Sequence, residues 1–201
     1  MPLLYHNNNS ISNVTSFAQI PSGSLTLLST STASGSSSIS FTSGIDSTYD
    51  VYKFEFINIH ASAVANFNFN LSTDGGSNYN VTKTTTFVQA YHSESGSGAG
   101  VIYDNGKDLA QSTADQIIDY GLKIDNDANS SGTLHLFNPS SSVFVKHFMS
   151  RCSDNNASDF AISSIVAGYG NTTSPVNAII FRMSSGNIDA GTIKMYGIKA
   201  W

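Results

Sequence analysis

The most constraining feature of this chain is a strict alternation of apolar and amide side chains. In the segment 66–71, Phe67, Phe69 and Leu71 are each preceded by an asparagine. A period of two is that of a β-strand, so one face of this segment is expected in the core and the other towards solvent. The same period, or a β-branched and aromatic composition, recurs in other segments: 51–57, 84–88, 132–137, 143–149, 178–183 and 192–198. The sequence therefore predicts many short strands.

Residues that favour turns separate the predicted strands. The segments 74–76, 138–139 and 185–187 contain Gly, Asn, Asp or Pro in the combinations that tight turns require. Only the segment 109–122 is compatible with a helix, of one or two turns at most. Many short strands, regular turns and almost no helix predict an all-β fold, an antiparallel β-sandwich with a jelly-roll-like arrangement.

The beginning of the chain does not share this pattern. The segment 1–24 is polar and its apolar residues are isolated, so it cannot form a core by itself. We predict an N-terminal arm over 1–24, which either becomes ordered on a neighbouring protein or is a frayed terminus, and a single β-sandwich domain over 25–201. The residues of the arm expected to bind a partner are its apolar ones: Leu3, Leu4, Tyr5, Ile11, Val14, Phe17 and Ile20.

The chain carries few charges for its size. Only 11% of its residues are charged while 40% are hydrophobic, so Ser, Thr, Asn and Gly form most of the polar surface. No Lys or Arg precedes Lys53, and the nine basic residues are scattered, which argues against nucleic acid as a partner. No apolar run is long enough to span a membrane, and we expect no signal peptide. A single cysteine, Cys152, excludes an intrachain disulfide.

The sequence offers little that points to catalysis or to a metal. The segment 125–129 matches the first half of a calcium loop, but Ser130 and Leu136 stand where glycine and glutamate are needed, so we interpret it as a solvated turn. His135 and His147 lie on neighbouring predicted strands, yet no histidine has the spacing of a zinc site. No nucleophile elbow occurs, and nothing pairs two carboxylates as a glycosidase requires. We therefore predict no catalytic or metal-binding residues, no cofactor and no enzymatic activity.

Several tyrosines lie in or beside predicted loops. An exposed tyrosine ring can stack on a sugar or anchor a protein interface, but tyrosine is also common at strand ends, where its ring packs inward and its hydroxyl reaches water. Both interpretations stay open for the four tyrosines that are candidates for glycan or interface contacts: Tyr79, Tyr91, Tyr103 and Tyr169.

Four stretches of the chain resemble a family of virion proteins. The stretches are ISFTSGIDSTYDVYKFEFINIHA (39–61), LSTDGGSNYNVTKTTTF (71–87), GTLHLFNPSS (132–141) and NAIIFRMSSGNIDAGTIKMYGIK (177–199). They look like a family of proteins of roughly 200 residues from tailed phages of marine bacteria, including those of cyanobacteria. The resemblance covers most of the chain from Leu25 onward. It implies a virion structural protein and supplies no catalytic residues to carry over.

The resemblance and the composition together lead to two functional hypotheses. The first is a capsid decoration protein on the outer shell of a phage, made in the host cytoplasm, that binds other virion proteins and forms a homo-oligomer such as a trimer, with its arm reaching a neighbouring subunit. The second is a receptor- or glycan-binding module of a tail or head fibre. Copy number in purified virions distinguishes them, since a decoration protein is present in hundreds of copies.

Overall fold

The structure, a computed structural model, describes residues 25–199, and the predicted arm with its seven apolar residues lies outside them. The described residues form twelve strands and no helix. The strands are β1 (Leu25–Thr32), β2 (Ile39–Phe41), β3 (Val51–Ala61), β4 (Ala65–Ser72), β5 (Lys83–Ser93), β6 (Ala99–Tyr103), β7 (Gln116–Leu122), β8 (Ser130–Phe137), β9 (Lys146–Asn155), β10 (Phe160–Gly170), β11 (Ala178–Met183) and β12 (Ile188–Ile198).

Two antiparallel sheets make a sandwich. The larger has the order β1-β12-β3-β8-β9-β10-β5-β6 and the smaller β2-β11-β4-β7. Setting aside the hairpins β5–β6 and β9–β10, the other eight strands have the order of a jelly roll, with β1, β12, β3 and β8 in one sheet and β2, β11, β4 and β7 in the other. The all-β sandwich predicted from the sequence is confirmed.

The two additional hairpins widen the larger sheet. The strand β9 pairs with β8, β10 pairs with β9, and β5 and β6 continue the sheet to its far edge. The smaller sheet packs on the inner face, where its edge strand β7 contacts β9 and β10. No strand of the described part covers the outer face of β8, β9, β10, β5 and β6. We call the added strands β9, β10, β5 and β6 the extension. Its outer face is a broad sheet surface that no described strand covers.

Phenylalanine rings fill the space between the sheets. Phe54 and Phe56 of β3 face Phe67 of β4 and Phe181 of β11, with ring centroids of the facing pairs 5.1–5.4 Å apart. All four side chains are at most 2% exposed. The alternation in β4 explains this burial, since Phe67, Phe69 and Leu71 all point into the sandwich.

The helix that the sequence allowed at 109–122 is absent, and this prediction was wrong. Residues 116–122 form strand β7 instead, paired with β4. Two buried polar side chains of β7 bind the larger sheet. Gln116 accepts a hydrogen bond from Thr85 of β5 at 2.6 Å, and Asp119 accepts one from Ser164 of β10 at 2.8 Å. The pairing of β7 with β4 is irregular around Phe67, so β7 does not show the period of two from which the other strands were predicted.

Candidate functional site

The outer face of the extension exposes apolar side chains at regular positions. In β9 the even-numbered residues are buried and the odd-numbered ones point outward, which exposes 54% of Met149. Ile165 of β10 lies on the same face and is 41% exposed, opposite Val88 of β5. Val88 in turn pairs with Tyr103 of β6, which is 56% exposed. A stripe of apolar and aromatic side chains therefore crosses four strands, and we call it the outer stripe: Val88, Tyr103, Met149 and Ile165.

The outer stripe borders a shallow depression that carries a single cation. Met149 and Ile165 line it together with the aromatic and hydroxyl side chains of the neighbouring strand β8. Arg151 also lines it, and its Nε donates a long hydrogen bond to Ser163 Oγ at 3.4 Å. Among the described residues no carboxylate lies within 4.0 Å of the Arg151 guanidinium. The depression therefore suits a partner surface that is apolar and supplies an acidic group.

A second concave surface lies where the edge strand β7 meets the inner face of β5 and β10. Tyr91 and Phe160 are in edge-to-face contact there, with ring centroids 5.7 Å apart, and Tyr120 of β7 completes the aromatic wall. Gly100 is opposite Tyr91 in the sheet, and a Cβ at this position would lie 3.0 Å from the tyrosine hydroxyl, so the glycine makes room for the ring. We call this surface the aromatic groove; its lining is Gln89, Tyr91, Tyr120, Asn156, Ser158, Phe160 and Ile162.

One amide in the lining of the aromatic groove lacks a hydrogen-bond partner in the described part of the chain. Gln89 is only 4% exposed, and its Nε2 atom has no hydrogen-bond acceptor among the described residues. Behind the groove, Lys107 Nζ lies 3.7 Å from the centroid of the Tyr120 ring and pairs with Asp104. Aromatic faces beside an amide donor form the kind of surface on which sugars bind.

The four candidate tyrosines do not form one site. Tyr91 lines the aromatic groove on the inner face, whereas Tyr103 lies on the outer face and donates a hydrogen bond to Asp108. Tyr169 is on the outer face as well, near the far end of β10, where its ring packs against His147 at 5.9 Å. Tyr79 lies in the loop between β4 and β5, beside Gly76. Tyr91 and Tyr103 therefore belong to the two concave or exposed surfaces described above, and the other two to neither.

Neither the pair His135 and His147 nor the acidic loop between β7 and β8 forms a metal site in the described part of the chain. His135 lies opposite Met149, so His147 is its diagonal neighbour on the same face. The two histidines are therefore on neighbouring strands, as predicted from the sequence. Each histidine packs on an aromatic ring, Phe137 and Tyr169 respectively. Asp125 of the loop between β7 and β8 pairs with Lys123 Nζ at 2.9 Å. Within residues 25–199, no group of three or more His, Cys, Asp or Glu side chains could hold a metal ion.

Two aspartates that the sequence did not connect interact between β7 of the smaller sheet and the inner face of β9. Asp119 of β7 accepts hydrogen bonds from Ser130 and Ser164, whereas neither carboxyl oxygen of Asp154 on β9 has a partner among the described residues. Burial raises the pKa of both carboxyl groups; the serine hydroxyls oppose this at Asp119, and the charge of Asp119 raises the pKa of Asp154 further. The environment of Asp154 therefore favours its protonated form. The pair is enclosed and offers no groove to a substrate.

Sequence reasoning found part of these surfaces and missed the rest. The exposure of Met149 is not evident from the sequence, because the run 143–149 has apolar residues at both odd and even positions. Tyr120 gives no usable signal, because its strand β7 lacks the period of two. Gln89 is a polar residue at an inward position of β5, between the buried Phe87 and the groove-lining Tyr91, and this irregularity was a usable signal.

Comparison of the chain with protein-family models, with curated proteins and with solved structures finds no match. The resemblance to phage virion proteins therefore stays a prediction. Among the described residues, no helix is long and apolar enough to cross a membrane.

Proposed function

We propose that the protein is a structural component of a phage virion, a decoration protein that binds the outer shell of the capsid through the outer stripe. The observation that carries this proposal is the exposed sheet face of β9, β10, β5 and β6, where Met149, Ile165 and Tyr103 are each more than 40% exposed. Monomeric proteins rarely leave large contiguous apolar surface in water, and such surface commonly marks a protein interface.

The charge distribution supports a protein partner for this face. With 14 acidic and nine basic residues, the chain has little charge to steer it towards a polyanion. Arg151 stands beside the outer stripe without a carboxylate partner in the described part of the chain. An acidic side chain of the shell would pair with this guanidinium, while apolar residues around it would pack on Met149 and Ile165.

The proposal includes an oligomer. A decoration protein gains binding energy by contacting several shell subunits at once, and copies arranged around a symmetry axis, as in a trimer, increase the avidity of each contact. The arm 1–24, which lies outside the described residues, would reach a neighbouring subunit. This gain in avidity requires that several copies bind the shell at the same time.

The experiment is a binding assay on shells assembled without the protein. We expect the double variant Met149→Asp, Ile165→Asp to lose at least about 2 kcal/mol of binding energy, because it places charge in an apolar interface. The matched control is Val64→Asp, since Val64 is also 54% exposed but lies in the turn between β3 and β4. Equal binding by the double variant and the control would contradict the assignment of the outer stripe.

A second function, glycan binding by a tail or head fibre module, has one observation in its favour. The aromatic groove combines the rings of Tyr91 and Phe160 with the unpaired amide of Gln89. In this case we expect binding to host-surface polysaccharide that Tyr91→Ala removes and Tyr169→Ala leaves unchanged, since Tyr169 lies outside the groove. Copy number separates the two functions: hundreds of copies per virion support decoration, and some tens or fewer support a fibre.

A further inference from the structure

A buried lysine meets a buried asparagine where the smaller sheet contacts the larger one. Lys83 at the start of β5 is fully buried, and Asn70 near the end of β4 is 1% exposed. Lys83 Nζ donates hydrogen bonds to Asn70 Oδ1 at 2.6 Å and to the backbone carbonyl of Val81 at 2.8 Å. The amine is therefore held beside the carbonyl group of an amide side chain, in a place from which water is excluded.

The remaining atoms of the Asn70 amide are also held. Its Oδ1 accepts a second hydrogen bond, from the backbone N–H of Leu71 at 2.9 Å. Its Nδ2 donates to Asp115 Oδ1 at 2.9 Å and to the carbonyl of Thr113 at 3.0 Å. The Leu71 N–H polarises the carbonyl and would stabilise negative charge on the oxygen once the amine has attacked, while a carboxylate contacts the nitrogen that an acyl transfer would release.

Burial favours the neutral amine at Lys83, whereas hydrogen bonds favour the ionised carboxylate at Asp115. Burial lowers the pKa of Lys83 to about 8, although the charge of Asp115 opposes this. Burial by itself would raise the pKa of Asp115, but hydrogen bonds from Arg182 and Asn70 outweigh it and keep that pKa below its ordinary value. Arg182 Nε and one terminal nitrogen bind the two carboxyl oxygens at 2.6 and 2.8 Å. A neutral amine is a nucleophile, whereas the ammonium form is not.

We propose that Lys83 and Asn70 form an intramolecular isopeptide bond, with Asp115 assisting the proton transfer. The neutral Nζ attacks Asn70 Cγ, and the Leu71 N–H stabilises the resulting oxyanion. A proton then passes from Nζ to Nδ2, and Asp115 stabilises the positive charge that develops on the leaving nitrogen. The Cγ–Nδ2 bond breaks and ammonia leaves, so one C–N bond forms, one C–N bond breaks and no redox partner is needed.

The bond would tie the two sheets together covalently. Asn70 belongs to the smaller sheet and Lys83 to the larger one, and the loop that the bond closes runs from β4 to β5. A protein without disulfides, whose single cysteine is buried, would thereby gain a covalent crosslink. This inference is independent of the proposed function, since it concerns the chain's own chemistry.

The test is mass spectrometry of the folded full chain after tryptic digestion. Trypsin cleaves after lysine and arginine, so an unmodified chain yields the peptides 54–83 and 84–107. An acylated Lys83 is not cleaved, and we expect one peptide, 54–107, lighter by about 17 Da through loss of ammonia. Recovery of 54–83 at full mass from protein incubated for days at pH 9 would overturn the proposal and leave a hydrogen-bonded network only.

Two variants and one control secure the interpretation. Lys83→Met removes the nucleophile and should restore the full mass; ammonia loss that persists in this variant indicates cyclisation of Asn70 with its own backbone and contradicts the proposal. Asp115→Asn should slow the reaction by about 100-fold or more, and an unchanged rate would contradict the role of Asp115. The matched control is Lys146→Met, because Lys146 is also fully buried but its Nζ contacts only the carbonyls of Phe144 and Thr172, so the crosslink should still form.

Discussion

Lys83 Nζ lies 2.6 Å from Asn70 Oδ1, and the two side chains belong to different sheets of the sandwich. A fully buried amine is costly unless its hydrogen bonds are satisfied, and here Asn70 Oδ1 and the Val81 carbonyl accept them. The contact stabilises the junction of the sheets before any bond forms. The proposed reaction at this contact can be followed by the mass of the tryptic peptide 54–107 and by the dependence of its rate on pH.

The rate of crosslinking should depend on the protonation of Lys83. Because its pKa is lowered from 10.5 to about 8, the neutral fraction rises with pH up to that value. We expect the rate to increase about tenfold per pH unit below pH 8 and to level off above it. The measurement is the fraction of peptide 54–107 against time at several pH values. A rate that is independent of pH between 6 and 8 would contradict attack by this amine.

The phenylalanine cluster should carry much of the stability. Phe181 is fully buried and contacts the rings of Phe54, Phe56 and Phe67. We expect Phe181→Ala to lower the free energy of unfolding by about 3–5 kcal/mol, measured by urea denaturation. Phe144→Ala is the control, since Phe144 is 69% exposed and its loss should change stability by less than about 0.5 kcal/mol.

The free energy of unfolding should decrease as the pH rises above the ordinary pKa of an aspartate, because Asp154 is buried and has a raised pKa. Its pKa is raised in the folded state from 3.8, so the folded protein holds a proton that the unfolded chain has released. The stabilisation is complete below pH 3.8 and is lost as the pH rises towards the folded-state pKa. We expect Asp154→Asn to flatten this dependence and to raise the melting temperature at pH 8.

Melting curves from pH 5 to pH 9 measure this effect. Asp127→Asn is the matched control, because Asp127 is exposed in the loop between β7 and β8. If Asp154→Asn and Asp127→Asn show the same pH dependence as the unchanged protein, Asp154 does not carry the effect.

The arm should matter for assembly and not for folding. The sandwich of residues 25–199 has a continuous core of its own. We expect deletion of 1–24 to leave the thermal unfolding transition within a few degrees of its original position and to abolish binding to the shell. The measurements are calorimetry and co-sedimentation with particles. Unaltered co-sedimentation of the truncated protein would show that the arm plays no part.

Period-two segments were sufficient to predict the class of fold. The runs at 66–71, 178–183 and 192–198 all lie within strands, and the positive φ angles of Gly75, Gly76 and Gly186 agree with the predicted turns. The pairing of the two additional hairpins was beyond prediction, since nothing local states that β10 pairs with β5 across a long separation in the chain.

The candidate sites were harder to predict than the strands. Tyr91 was identified, but its partners Tyr120 and Phe160 come from two other strands, β7 and β10. Lys83 gave the clearest missed signal. It occupies an inward position of β5, in register with Thr85 and Phe87, and a lysine on a buried face implies a specific set of hydrogen-bonding partners. The identity of those partners depends on tertiary structure.

The most direct test of the proposed function is a cryo-EM map of the intact particle in which this chain is located. We predict hundreds of copies on the outer surface of the shell, arranged around its symmetry axes, with Met149 and Ile165 facing the shell protein and Arg151 near an acidic side chain. A map that places the chain in a tail or fibre, or that leaves the outer stripe exposed to solvent on the capsid, would contradict the account.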